Sequence, residues 1–465
     1  MNLVLNGVLA ALGAALNALT ALLGVWAKGF AALGRLGLLA WRARGGEGSL
    51  SARLASQLLA PEGQRALFAA LRAFWPTLRL DRALVKAYPG AATVLVTRRA
   101  DVIEVLRRDA DFEVVYEPRM REITGGANFF LGMQPGEDYE RDTSAMRLAM
   151  RRGDVAGTVA PRAAALAEAA VTQAGAQAGA QAGGALDVPR DLTLPIAADI
   201  VERYFGLPGA APEQRIAWST AMFWYLFGDL GADARVGAEA LAAAAAARDW
   251  IDGAIAARKR AGGGGADDVL GRCLALQAAG APGMDDRGVR DNLIGLFIGA
   301  IPTLSKAATL ALDELLDRPD ALRGACAAAR AGDDALMAQH VWEALRFRPL
   351  NPVVYRRAVR ATRIAASTLR ARTIPEGALV FAATHSAMFD GLDIPAPDRF
   401  RTDRPWSVYI HWGYGMHACF GGAINRAVIP AMLKPLLARP GLRRAGARDD
   451  GGTPFPQSLA VRFDA

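Results

Sequence analysis

The chain has 465 residues, of which 52% are hydrophobic and 22% charged, a composition that excludes a disordered chain and leaves room for a large buried core. Its formal net charge of +8 is spread along the sequence instead of forming one basic run with interleaved aromatics, which argues against a dedicated nucleic-acid binder. It suits an acidic protein partner, an anionic membrane surface or a generally basic exterior. The three cysteines, Cys273, Cys326 and Cys419, fall in no Cys-x-x-Cys or Cys/His spacing, so neither a disulfide framework nor a zinc site is indicated and a reducing compartment is expected.

No charged residue occurs between Asn2 and Ala27, and the stretch VLNGVLAALGAALNALTALLGVWA is long enough, as a helix, to cross a hydrocarbon core of ~30 Å. Lys28, Arg35, Arg42 and Arg44 follow it, so a spanning segment would leave the rest of the chain on the cytoplasmic side. Residues 1–45 are therefore expected to form an apolar helical segment, with residues 3–27 as a membrane anchor, and residues 46–465 the main domain. The Ala and Gly content, with Asn6 and Asn17, keeps an interfacial or self-packing helix open. A cleaved signal peptide fits less well, because no Lys or Arg precedes the apolar run.

After a linker over Arg42 to Ser49, YPGAATVLVTRRADVIEVLRRD reads as strand, turn and helix, with the β-rich run at Thr93 to Thr97. Two glycine-rich stretches, Ala174 to Gly184 and Ala261 to Asp268, read as surface loops, because glycine at that density does not hold a helix cheaply. Amphipathic segments at Ala211 to Gly228 and Ala238 to Arg260 read as helices. Strand-like alternation returns over Thr362 to His385, broken by the turn signal Ile-Pro-Glu-Gly. The expected fold class is mainly α with a small β region. His340, His385 and His411 show no ligand spacing and are read as structural, and Asp390 as a turn residue.

The sharpest local signal is WGYGMHACFGG, Trp412 to Gly422, in which glycines surround Cys419 and His417 stands two residues before it. The following AINRAVIPAMLKPLLA is helical in pattern until Pro440 and Gly441, which places the cysteine just before a helix N-terminus. A thiolate is a strong donor to haem iron and needs nearby N–H groups to stabilise its charge, which such a turn supplies. A buried cysteine in a turn would account for Cys419 but not for the glycines and the histidine.

This run resembles the haem-binding loop of the cytochrome P450 family, Phe-x-x-Gly-x-His/Arg-x-Cys-x-Gly, with Trp412 in place of the phenylalanine. The resemblance implies haem b (iron protoporphyrin IX), Cys419 as the axial thiolate and metal ligand, His417 as a haem propionate partner, and Gly415 and Gly421 as close-approach positions. A second match is VWEALRFRP: Glu343 and Arg346 lie on one helical face, and with Arg399 of PAPDRF they resemble the family's buried charge network that braces the thiolate loop. Arg356 falls where the family places an arginine on a propionate, with Arg357 adjacent, and Arg147 in DTSAMRLAMRR is a further candidate for that task. The segment Asp191 to Gly209 is similar to the one preceding the family's substrate-covering helices. These matches, in order from about Pro89 to Leu442, imply a triangular prism of helices around a buried haem.

The apolar run DNLIGLFIGAIPTLSKAATLALDELL, Asp291 to Leu316, takes the place of the family's central helix, which carries Ala-Gly-x-Asp/Glu-Thr. Here the residues are Gly299, Ala300, Ile301, Pro302 and Thr303, so proline replaces the acid that relays protons. Proline removes a helix N–H, kinks the axis and frees a carbonyl, and it carries no proton; losing a positioned acid commonly costs ~10²–10⁴-fold. The resemblance implies a monooxygenase, fed by a ferredoxin-type donor, that inserts one atom of dioxygen into an apolar, lipid- or terpenoid-like substrate, with Thr303 and ordered water supplying protons. The alternative is a peroxygenase or fatty-acid hydroperoxide isomerase, which uses peroxide and needs no redox partner. A non-enzymatic haem sensor would keep the cysteine loop, but no regulatory or DNA-binding module is visible. The expected pocket is apolar, drawn from Phe129 and Phe130, Phe223 to Phe227 and the Leu296 to Leu304 face.

Overall fold

The computed structural model describes residues 2–45, 49–88, 90–177, 183–262 and 267–464; side chains are described for residue 16 and from residue 19 onward. The glycine-rich stretches expected to be loops therefore lie partly outside the described residues. The first is narrower than expected, because helix Ala160–Gln177 runs into it and a strand begins at Gly184. Alanine outnumbers glycine up to Gln177, which is enough to continue the turns.

Two compact units are formed. The first comprises residues 1–84, 90–112 and 351–416, and the second residues 85–89, 113–350 and 417–465. In the first, strands β1 (Thr77–Leu80) and β2 (Thr93–Val96) are joined by β8 (Leu379–Ala382), β5 (Val354–Ala358) and the short β3 (Phe112–Glu113), in the order β1-β2-β8-β5-β3. β2 runs parallel to β8, and the pairs β1/β2 and β5/β8 are antiparallel. The Thr362 to His385 region contributes the hairpin β6 (Thr362–Ile364) and β7 (Arg372–Ile374) before β8. Asp390 does more than end a turn. It is buried against the Arg98 guanidinium at 2.8 Å and also accepts the Arg99 amide.

The helix Asn2–Arg42 is continuous, and its second half is docked on the helix Pro61–Phe74 of the same unit. Ala32 packs with Ala66 and Ala70, Leu36 lies against them, and Phe30 meets the Phe74 ring edge-on at 5.0 Å. The contact is close at Gly29, where a Cβ would stand 2.3 Å from that of Ala73. Leu16, Leu19, Leu23, Trp26, Phe30, Leu33 and Trp41 remain exposed. From Leu16 to Leu33 they are three or four residues apart, and Trp41 lies eight beyond Leu33, so they share one stripe that touches the docked helix only at Phe30.

In the second unit the helix Asp286–Leu316 is the core element. Asp285 caps it by accepting the Gly288 amide, and it packs on helices Leu194–Arg203, Pro212–Phe223, Ala234–Arg260, Asp334–Phe347 and Gly422–Ala438. It continues through Pro302 without a break in the helix. The segment expected as a helix over Ala211 to Gly228 is helical from Pro212, with a wider-wound final turn at Trp224–Gly228. A three-stranded sheet, β4 (Gly184–Asp187), β10 (Ala460–Phe463) and β9 (Arg443–Arg444), completes this unit. Asp313 knits its C-terminal part, because this buried carboxylate meets the guanidinium groups of Arg348, Arg444 and Arg448.

Candidate functional site: the cysteine loop and the central helix

The cysteine loop starts in the first unit. Trp412 packs on Trp406 at 5.6 Å and on His411 at 5.8 Å. Gly415 has φ +77°, and a Cβ there would stand 2.2 Å from the Leu106 carbonyl oxygen, so both the left-handed backbone and the close approach require glycine. Beside it Arg107 donates to the Tyr414 hydroxyl at 2.6 Å. Arg356 is buried on β5, donates to its neighbour's carbonyl at Tyr355 and lies in the field of Asp109.

Past Met416 the chain belongs to the second unit. The His417 ring lies edge-on to Tyr139, with centroids 5.3 Å apart. Cys419 is the one exposed cysteine; Cys273 and Cys326 are buried, and burial pushes the Cys273 thiol up to about 12. Burial pushes the Cys419 thiol up, against the opposing pull of the Gly421 amide and of Asn425, whose Nδ2 is 3.8 Å from the sulfur. The helix begins at Gly422, so the cysteine sits three residues before its first turn. Gly421 is not demanded by the backbone: its φ is negative, and an added Cβ would meet the sulfur at 3.9 Å, an ordinary contact. Phe420 packs on Phe130 at 4.7 Å.

Glu343 and Arg346 form a bidentate pair at 2.7 and 3.0 Å, and neither has any exposure. Arg399, expected to be buried with them, is exposed. The buried arginine of its segment is Arg404, which donates to the carbonyls of Pro395, Ala396 and Arg399. Arg147 is exposed on the helix Glu137–Ala149.

On the central helix Pro302 is buried and Thr303 partly exposed. The Thr303 hydroxyl donates back to the Gly299 carbonyl and lies 3.4 Å from that of Ala300, the usual use of a mid-helix threonine. Pro302 leaves the Ile298 carbonyl without its ordinary i+4 donor. Aromatic packing accumulates on the neighbouring elements: Phe129 lies against Gly295, Phe223 meets Phe227 at 4.6 Å and Phe455 at 5.8 Å, and Phe227 meets Tyr116 at 4.9 Å.

Sequence reasoning did not single out Asn425, Tyr139, Phe455 or Lys306. Lys306 carried a legible signal, as the sole charge between Asp291 and Asp313 on an apolar helix.

The chain is mainly helical with a small sheet region, a glycine-bounded cysteine before a helix and a long buried central helix. No family model matches the chain. Among curated proteins it is 34% identical over 138 residues to cytochrome P450 107B1 of Saccharopolyspora erythraea, covering 29% of this chain and 32% of the relative. It is 35% identical over 80 residues to linoleate diol synthase of Gaeumannomyces graminis, covering 17% of this chain and 7% of that one. The chain thus spans about a third of the length of the first curated relatives it matches. Among solved structures, P450BioI in complex with hexadec-9Z-enoic acid ligated acyl carrier protein superposes with a TM-score of 0.72 at 20% identity, over 87% of this chain and 98% of that one. The chain has the cytochrome P450 fold.

Proposed function

We propose that this protein is a haem-thiolate monooxygenase that inserts one oxygen atom from dioxygen into an apolar, lipid- or terpenoid-like substrate. The observation that carries the reading is Cys419: the one exposed cysteine, set before a helix start and approached by two N–H donors. These residues fit a haem iron, because an exposed sulfur flanked by two N–H donors can be held as the thiolate, the form that ligates iron. When bound, haem b supplies the oxygen-activating chemistry. In this reading Cys419 holds the iron, and the Gly421 amide and Asn425 carry part of the thiolate charge. His417 and Arg356, with Arg147, hold the propionates. Trp412, Gly415 and Gly421 shape the loop, while Glu343 and Arg346 fix the helix Asp334–Phe347, with Arg399 as an outer support. Thr303 and water ordered at the freed Ile298 carbonyl hold the proton supply, and Pro302 keeps that carbonyl open. Electrons come from a ferredoxin-type donor.

A second reading is favoured by one specific observation. Pro302 stands where a proton-relaying acid would be, and the Thr303 hydroxyl is spent on Gly299. An enzyme that receives oxygen already reduced, as peroxide or lipid hydroperoxide, needs neither relay nor redox partner, and the similarity to linoleate diol synthase over 80 residues accords with it. Turnover of fatty acids and terpenoids by the haem-loaded protein separates the two. Product only with reduced ferredoxin and dioxygen supports the monooxygenase; product at comparable rate from peroxide alone replaces it with the second reading.

Residues 1–45 we read as a membrane-associating segment on the cytoplasmic side, and residues 46–465 as the catalytic domain. Because residues from Val25 to Ala43 are docked on the first unit while the apolar stripe from Leu16 to Trp41 stays exposed, the interfacial arrangement accounts for more of this helix than spanning does.

A further inference from the structure

The helix Asp286–Leu316 is buried almost all the way round. From Asp291 to Leu315 only Gly295, Gly299, Thr303 and Lys306 keep surface, and their separations of four, four and three residues set them on one face. Gly295 on this line is covered by Phe129, whereas at Gly299 an added Cβ would meet nothing within 4 Å, so open space beside the helix begins there. Lys306 is the charged end of the line. Its Nζ lies 5.6 Å from the centroid of the Phe455 ring, which packs on Phe223, itself against Phe227.

Among the described residues no carboxylate lies within ion-pair distance of this ammonium. The acid nearest in effect, Asp450, is gripped bidentately by Arg448 at 2.8 Å through both oxygens. The charged groups that bear on Lys306, Asp450 and Arg448, come from the C-terminal segment, and enclosure by protein outweighs the pull of Asp450 and pushes the ammonium down to about 8. An enclosed cation without a counter-ion is costly to keep, and an anion delivered by a ligand removes that cost. Its one-turn separation from Thr303 puts the charge a few ångströms along the axis from the residue at the reacting face.

We propose that Lys306 is a specificity residue that binds the carboxylate of an acidic, otherwise apolar substrate, such as a medium- or long-chain fatty acid, whose alkyl chain lies along the wall of Phe223, Phe227 and Phe455. This rests on the reading that the open face at Gly299 and Thr303 is the substrate side of the haem site. The charge-assisted contact distinguishes an acid from the alcohol of the same chain length, whereas the aromatic wall does not.

The test is calorimetric binding of dodecanoate and of 1-dodecanol to the haem-loaded full chain at neutral pH, with thermal unfolding followed on the same samples. The native protein should prefer the acid by at least tenfold. Lys306→Met should bind both alike, and Lys306→Arg should keep the preference. A native protein without preference, or a folded Lys306→Met variant that retains it, overturns the proposal. Because binding is read without turnover, an acid preference that depends on Lys306 supports this site even if no oxidised product forms. Product formation without that preference sinks Lys306 and leaves the monooxygenase reading standing.

Discussion

Asn425 aims its side-chain amide at the sulfur of Cys419 from 3.8 Å, reaching back from the first turn of the helix Gly422–Ala438. The sulfur has an amide neighbour at Gly421 as well, so two neutral donors share the charge that a thiolate would carry. Asn425→Ala removes one of them. The sulfur then donates more strongly to iron, and the reduction potential of the bound haem should fall by about 20–40 mV, the equivalent of one weak hydrogen bond. A spectroelectrochemical titration of both proteins reads this; an unchanged or higher potential contradicts the assigned role.

Glu343→Gln leaves the fully buried Arg346 guanidinium facing a neutral amide. Breaking a buried pair by removing one charge costs about 3–5 kcal/mol, so urea denaturation should show a midpoint lowered accordingly with an unchanged slope. Arg399→Ala, at an exposed position, should shift the midpoint far less.

Thr303→Ala deletes a hydroxyl already satisfied by the helix backbone, so folding should be unaffected. Under the dioxygen reading, the variant should release more peroxide per substrate oxidised. Under the peroxide reading its rate should match that of the native protein. Oxygen consumption, peroxide release and product measured together decide between them.

The Lys306 ammonium is held down at about 8 from an ordinary 10.5 by burial. The unfolded chain therefore binds the extra proton between those two values and the folded one does not, so stability rises with pH across that window. Each unit of lowering costs about 1.4 kcal/mol in the protonated state. Lys306→Met, which carries no such cost, should be more stable than the native protein at pH 7, and the difference should shrink from about pH 8 upward and be gone near pH 10.5. Chemical denaturation across pH 7 to 10 tests this, and a constant difference would contradict it.

Deletion of residues 1–24 removes none of the contacts at Ala32 and Leu36, so it should lower membrane association while leaving the melting temperature nearly unchanged. Deletion of residues 1–44 uncovers Ala66 and Ala70 and should lower it. Sedimentation with anionic vesicles and a thermal melt of each truncated protein give the two readings.

Much of this was legible in the sequence, for physical reasons that can be named. Gly415 was visible because only glycine tolerates both a positive φ and a carbonyl 2.2 Å from where Cβ would be. The central helix was visible because its residues between Asp291 and Asp313 are mostly apolar, with Lys306 the sole charge among them. What stayed hidden depends on which side chains tertiary packing brings together. Asn425 looks like any polar residue early in a helix until the loop folds back on it, and Arg399 and Arg404 are five residues apart in one loop whose path decides which is buried. The partnership of Asp450 with Arg448, which leaves Lys306 without a counter-ion, is made by the folded C-terminal segment and has no signature in the central helix itself.

The most direct test of the central claim is the carbon monoxide difference spectrum of the reduced, haem-loaded protein beside that of Cys419→Ala. The account predicts a thiolate-type band in the native protein and its loss in the variant; a variant that keeps the band, or a native protein that never shows it, contradicts the assignment of Cys419 as the iron ligand.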